Sequence, residues 1–230
     1  MLLLAPLALL GLYLTDRWRP PPEWDPRAPL DFRAETNLLT GWKLARMEMR
    51  PESCFAAFEA SGMEVSRVPD RPSERGCPIQ DAVRLEGARA ALSPPRPVVT
   101  CPLAAAWVLF ERHALQPAAQ RHFGRAVTGV RHLGSYNCRN VYHRAAARRS
   151  QHATANALDV AGFILADGRE VRLPRDWGGD APAPPGTPAA FLRDVRDGAC
   201  RYFKAVLGPD YNAAHQDHFH LDRGRWARCS

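Results

Sequence analysis

The stretch Asn212-Ala-Ala-His-Gln-Asp-His-Phe-His-Leu-Asp222 limits the fold more than any other part of the chain. Three of the chain's eight histidines fall within six residues of it. Phe219 and Leu221 alternate with His218, His220 and Asp222, a period of two that predicts a short β-strand. On a strand, residues i and i+2 share a face, so His218 and His220 stand side by side about 7 Å apart at the backbone. On a helix they would diverge by roughly 200°. Phe219 and Leu221 then face the core and fix the register, because a one-residue slip would bury the imidazoles. Two imidazoles on one face suit two tasks: one binds a metal as neutral imidazole, the other moves a proton beside it.

Further ligand types lie upstream. Ser150-Gln-His-Ala-Thr-Ala-Asn-Ala-Leu-Asp159 sets a histidine and an aspartate seven residues apart, with small residues between them. Val160-Ala-Gly-Phe-Ile-Leu165 follows as a buried-strand type of run. Asp159 therefore lies in or beside an apolar strand, where a carboxylate is costly unless paired or metal-bound.

At 230 residues, one sizeable core is the expectation. An apolar content of 46% and a charged content of 24% are those of a globular protein. The net charge of +7, dominated by arginine, suits an anionic polymer or membrane surface, or a merely solvated face. No nucleic-acid motif accompanies it, so no nucleic-acid partner is expected.

Residues 2–14 are almost wholly apolar. The run is too short for the roughly 20 residues of a comfortable span and fits a signal peptide or a short signal anchor over residues 1–15. No small-x-small cleavage site follows, and Trp18 and Arg19 suit a membrane interface, which favours an anchor. Arg17 and Arg19 on the C-terminal flank argue for keeping that flank in the cytoplasm. The six cysteines decide for export: none forms a C-x-x-C pair, and an even scattered set predicts three disulfides in an oxidising compartment. Pairing neighbouring segments gives Cys54 with Cys77, Cys101 with Cys138, and Cys200 with Cys229. Together these readings predict an exported domain tethered to a membrane. Prolines 20, 21, 22, 26 and 29 predict a stiff spacer over residues 16–36, and residues 37–230 form the domain.

Within the domain, helices are expected near residues 38–45 and 51–58, from Cys101 to about Leu115, from Pro117 through Phe123, and from Phe191 to Leu207. Strands are expected at Glu64 to Val68, Ala82 to Leu85, Val98 to Thr100 and Ala126 to Leu133. The fold class is α+β: a small antiparallel sheet carrying the site, flanked by helices and stapled by disulfides. Loops at 140–149 and 178–188 are candidates to rim a cleft. His113, His122, His132 and His143 have no partner at ligand spacing and read as structural.

The segments GSYNCR (134–139), SQHATANALDVAGF (150–163), DGR (167–169) and FLRDVRDGACRYFKAVLGPDYNAAHQDHFHLD (191–222), with the late Cys229, resemble the bacterial extensin-like C-terminal domain family over roughly residues 40–230. Ser-x-His-x6-Asp followed by His-x-His is also similar to the lysostaphin, D-alanyl-D-alanine peptidase and hedgehog group of zinc metallopeptidases. That group usually has glycine four residues after the motif's first histidine; Asn156 stands there.

The resemblance implies one zinc ion on His152, Asp159 and His220, with manganese or cobalt compatible with the same donors. It implies His218 as the base or transition-state donor, with His215 as second candidate. It implies Arg139 as the cation that polarises the substrate carbonyl, with Tyr136 and Ser150 as candidate substrate-binding residues. The implied activity is hydrolysis of an amide bond in a peptidoglycan stem or cross-link peptide. The alternative is a non-catalytic, zinc-containing domain that binds the wall or a partner.

Overall fold

The computed structural model describes residues 4–179 and 182–230. The chain divides into two units, Met1–Met63 and Glu64–Ser230.

The first unit holds helices α1 (Leu4–Leu14), α2 (Leu38–Met49) and α3 (Pro51–Ala60). Asn37 caps α2 reciprocally: its side chain accepts from Leu39 N at 2.8 Å, and Thr40 Oγ1 accepts from Asn37 N at 2.9 Å. Pro51 opens α3 where no N–H is needed. The proline-rich stretch does not extend as a spacer; it folds back on α2. Lys43 Nζ donates to Pro22 O at 2.7 Å and Arg46 Nη1 to Pro26 O at 3.0 Å. Proline lacks a donor but keeps its carbonyl, and these two side chains use it. Leu30 and Phe32 are buried, and Phe32 meets Phe58 edge-on at 4.8 Å. Burying those two residues outweighs the freedom of an extended chain. No helix among the described residues is long and apolar enough to cross a membrane; residues 1–3 of the expected leader or anchor lie outside them.

In the second unit the chain forms β1 (Ser66–Val68), β2 (Ala82–Arg84), β3 (Ala91–Ser93) and β4 (Val98–Thr100). One long helical run follows: α4 (Cys101–Phe110), a π-turn (Glu111–Leu115) and α5 (Gln116–Phe123). Every residue of α4 is buried, as its all-round apolar sequence requires. Two helices were expected, broken at Pro117. The π-turn lets the run continue, because it absorbs the missing N–H of Pro117. His113 O, four residues before Pro117, accepts from Arg201 Nη2 at 3.2 Å. Glu111, fully buried in the π-turn, accepts from the backbone N–H groups of Ala88, Arg89 and Ala90 at 2.6–2.7 Å. The helix thereby fixes the loop that leads into β3.

The remaining elements are β5 (Val127–Gly134), β6 (Ala157–Leu165), β7 (Glu170–Arg172), α6 (Leu173–Asp176), α7 (Pro188–Ala199), β8 (Ala205–Leu207), β9 (Phe219–Asp222) and β10 (Arg228–Cys229). Among the described residues they make two sheets. One is β1-β2-β4; the other is β10-β8-β9-β6-β5-β3, with β7 also pairing with β6. The α+β class holds, but the large sheet is mixed rather than small and antiparallel: β3 runs parallel to β5, and β10 parallel to β8. Gly162 lets β7 close on β6, since a Cβ there would sit 2.7 Å from Val171 O. Helix α7 packs behind the sheet through Phe191, which meets Phe163 at 5.5 Å. The helix expected to reach Leu207 stops at Ala199, and Ala205–Leu207 pairs as a strand with β9. A three-residue apolar run does not distinguish the two states by periodicity.

All six cysteines are oxidised. Cys200 pairs with Cys229 as expected, with Cα atoms 5.8 Å apart. Cys77 pairs with Cys138 instead of Cys54, and Cys138 is thereby not the partner of Cys101. Pairing by nearness in sequence fails because loop-closure entropy grows slowly; the shorter loop saves only roughly 1 kcal/mol. Position in the fold decides instead, and Tyr136 OH, two residues before Cys138, donates to Cys77 O at 3.2 Å.

Candidate metal centre

Strand β9 lies antiparallel to β6, with Asp159 directly opposite His220 and Val160 opposite Phe219. Phe219 and Leu221 are buried, but so are His220 and Asp222 on the other face, so the strand forms as expected while the burial of one face alone does not set its register. His152 arrives from a 3-10 turn, Gln151–Thr154. Ser150 caps that turn by accepting from His152 N at 3.3 Å. Ala155 ends it with φ +55, and Asn156 ties it down: its Oδ1 accepts from Thr100 Oγ1 and its Nδ2 donates to Gln151 Oε1, both at 2.8 Å. The position where glycine was expected thus holds a side-chain brace, and the left-handed backbone falls one residue earlier.

The structure brings His152, Asp159 and His220 together, with one ligand-type atom of each within 4.8 Å of the others. His152 Nε2 lies 3.2 Å from Asp159 Oδ1 and 3.1 Å from His220 Nδ1, and His220 Nδ1 lies 3.0 Å from Asp159 Oδ1. Each ring's second nitrogen is engaged elsewhere. His152 Nδ1 faces Ser135 O at 3.1 Å and His220 Nε2 faces Asp222 Oδ2 at 2.9 Å. Both partners are pure acceptors, so each ring donates outward and its other nitrogen turns a lone pair inward. Two lone pairs and a carboxylate meeting at one point repel unless a cation sits between them. Ligands about 2.0–2.1 Å from a tetrahedral zinc ion stand about 3.3 Å apart, close to the spacings seen here. The donor set fits zinc.

Protons answer part of this demand. Burial alone would raise Asp159 and lower His220. For Asp159 the hydrogen bonds to His152 and His220 prevail and hold its carboxyl far below the usual range. For His220 the flanking carboxylates of Asp159 and Asp222 prevail and raise the imidazole to about 9.

The other expected residues divide. His218 Nε2 reaches Asp159 Oδ1 at 3.5 Å, and its Nδ1 is 2.8 Å from Asp217 Oδ1. The His215 ring lies 5.3 Å from that of His218 and 5.8 Å from that of His220. Burial first, then the neighbouring imidazoles, push His215 down to about 4. Arg139 and Ser150 line the same cleft, a cavity of about 260 Å³ that also opens onto Asp159, His218 and His220. Tyr136 does not line it. Its hydroxyl is spent on Cys77 O, because the Cys77–Cys138 disulfide draws this turn away, and the turn serves the site through Ser135 O. Of the two candidate rim loops, residues 140–149 contribute Val141, Tyr142 and Arg148, while the described residues of 178–188 contribute none; residues 180 and 181 lie outside the description.

A family model described as "Extensin-like protein C-terminus" matches residues 52–230. The chain belongs to the extensin-like C-terminal family. The matched part of this extensin-like chain contains the whole cluster and the cleft around it. No curated protein and no solved structure matches the chain.

Sequence reasoning missed one residue of the extensin-like site, and regular strand alternation set a second, Asp217, on the face opposite His218 as a supporting or surface carboxylate. Asp222 orients His220, and its place two residues on along the strand was the available signal. Asp217 pairs with His218 because the chain before β9 is a turn, where regular strand alternation does not apply.

Proposed function

We propose that this extensin-like domain is a zinc-dependent peptidase that hydrolyses an amide bond in the stem or cross-link peptide of peptidoglycan. The observation that carries the reading is the convergence of His152 Nε2, His220 Nδ1 and the Asp159 carboxylate, with both imidazole tautomers fixed from behind. Three protein ligands are the number used by catalytic rather than purely structural zinc. Zinc, when bound, supplies a Lewis acid that acidifies water and polarises a carbonyl.

The chain's own residues divide the remaining work. His218 holds or moves a proton at Nε2, on the cleft side of Asp159, and Asp217 orients it through Nδ1. His215, kept neutral near pH 7, accepts a hydrogen bond or a proton in the same corner. Arg139 supplies a fixed cation where negative charge develops on the substrate oxygen. Ser150 holds the turn that presents His152. Export to the periplasm is part of the proposal and rests on the oxidised cysteines, with the apolar N-terminal helix as tether.

The decisive experiment is digestion of purified sacculi with the zinc-loaded chain, the products being read by mass spectrometry. New amine and carboxyl termini are expected from the wild type, and none from His218→Ala with its zinc retained. A protein that keeps one zinc ion and releases no product from any sacculus preparation overturns the peptidase reading in favour of a zinc-stabilised wall-binding domain.

A further inference from the structure

Four arginines line the cleft beside the cluster: Arg139, Arg148, Arg225 and Arg228. Among the described residues the acids lining it are Asp159 and Asp222, and both face His220. Among the described residues none of these arginines meets a carboxylate. The guanidinium of Arg139 donates to the neighbouring Asn140 O, at 3.5 Å, and that of Arg228 stacks over Tyr211, at 5.7 Å. Elsewhere in this unit Arg96, Arg121, Arg131, Arg172 and Arg175 each sit in an ion pair. The cleft therefore carries cationic charge that the fold itself does not neutralise, in a concave site where the field is concentrated.

Sheet register fixes where that charge lies. Arg228 pairs with Ala205, and Ala205 with Asp222. Cross-strand partners share a face, and so do Asp222 and His220 at i and i+2. Arg228 thus rises from the same face as the cluster, two strands and roughly 10 Å from Asp222. Arg225 and Trp226 stand exposed on the turn between β9 and β10. The base of that turn is pinned, because Gly224 N donates to Asp222 Oδ1 at 2.8 Å. Gly224 also lies so close to Gln151 that a Cβ there would meet its side chain at 2.8 Å.

We propose that Arg225 and Arg228 form a carboxylate clamp, so that the cleft selects peptides with a free carboxylate on the β10 side of the amide that sits over Asp159. The guanidinium fork suits bidentate carboxylate recognition, and Trp226 and Tyr211 give the adjoining peptide a flat wall. An α-carboxylate and a side-chain carboxylate share this chemistry. The inference rests on the peptidase reading for its substrate, but it concerns binding and is tested without turnover.

The probe is muropeptides released from sacculi, used as free acids and after carbodiimide amidation of their carboxylates. Binding to the zinc-loaded His218→Ala chain is followed by calorimetry. Amidation is expected to weaken binding on the order of tenfold or more, as is Arg225→Gln/Arg228→Gln with the free acid. The double variant is expected to leave binding of the amidated probe unchanged. Arg121→Gln, outside the cleft, is the control and changes neither. Two further probes, amidated at the α-carboxyl alone or at the side-chain carboxyl alone, tell which carboxylate is held. Equal binding of free and amidated probes, discrimination that survives in the double variant, or no binding of the free acid overturns the clamp. Carboxylate-dependent binding without hydrolysis by the wild type leaves the clamp standing and removes the peptidase reading.

Discussion

His220 stands directly across the β6–β9 ladder from Asp159, with its Nδ1 3.0 Å from the carboxylate Oδ1. A non-local strand pairing thus sets the distance between two metal-ligand types, and the backbone ladder holds it with or without an ion. His152, from a capped turn rather than the sheet, completes the triangle.

Asp222 is expected to contribute to zinc affinity without touching the ion. Its carboxylate accepts the Nε2 proton of His220 and so leaves Nδ1 free to coordinate. Asp222→Ala should weaken zinc about 10–100-fold, whereas Asp159→Ala should abolish stoichiometric binding. Competition with a zinc-sensitive dye measures both, and equal zinc affinity of Asp222→Ala and wild type would refute the tautomer argument.

Stability of the zinc-free protein should peak near pH 6.5. His220, raised to about 9 from an ordinary 6.5, stabilises the fold fully below 6.5, and that contribution is lost as pH rises through 9. His215, lowered to about 4, has the opposite sign: the unfolded chain binds its proton more tightly, so stability falls as pH drops from 6.5 towards 4. Zinc replaces the proton on His220, so one equivalent should remove the alkaline decline. Thermal unfolding from pH 4 to 10, with and without zinc, tests this, and a decline unaffected by zinc would contradict it.

Glu111 is buried and accepts from three backbone N–H groups of the loop ahead of β3. Glu111→Ala strands those donors and should cost on the order of 3 kcal/mol or more. Urea unfolding reads this directly, and a loss under about 1 kcal/mol would show that water replaces the carboxylate.

Removing the Cys77–Cys138 bridge, which spans 61 residues, should cost about 4 kcal/mol by loop entropy. Cys77→Ser/Cys138→Ser compared with wild type in denaturant measures it. Peptide mapping under non-reducing conditions should recover Cys77 linked to Cys138; recovery of Cys77 linked to Cys54 would overturn the pairing.

Much of the cluster was legible in the sequence because strand periodicity is a local property. Phe219 and Leu221 announced the core face, and the ligand-type residues followed from spacing and resemblance. What stayed hidden depends on partners distant in sequence. Ala205–Leu207 became a strand only because β9 and β10 flank it. The π-turn arose from Pro117 together with the acceptor needs of Ala88 to Ala90, which no window of local sequence contains. Tyr136 left the cleft because a disulfide partner 61 residues from Cys138 drew its turn away. The proline-rich segment folded back because Leu30 and Phe32 found a core to enter.

Strand β10 is two residues long and lies at the edge of the sheet, and Cys229 within it is bonded to Cys200. A pairing this brief does not hold an edge by itself, so the covalent link is what keeps Arg228 over the cleft. The ligands on β6 and β9 lack any such dependence. Removing the Cys200–Cys229 bond alone should therefore strip the recognition wall while sparing the ion's seat, leaving a protein that still captures metal but no longer tells one peptide from another.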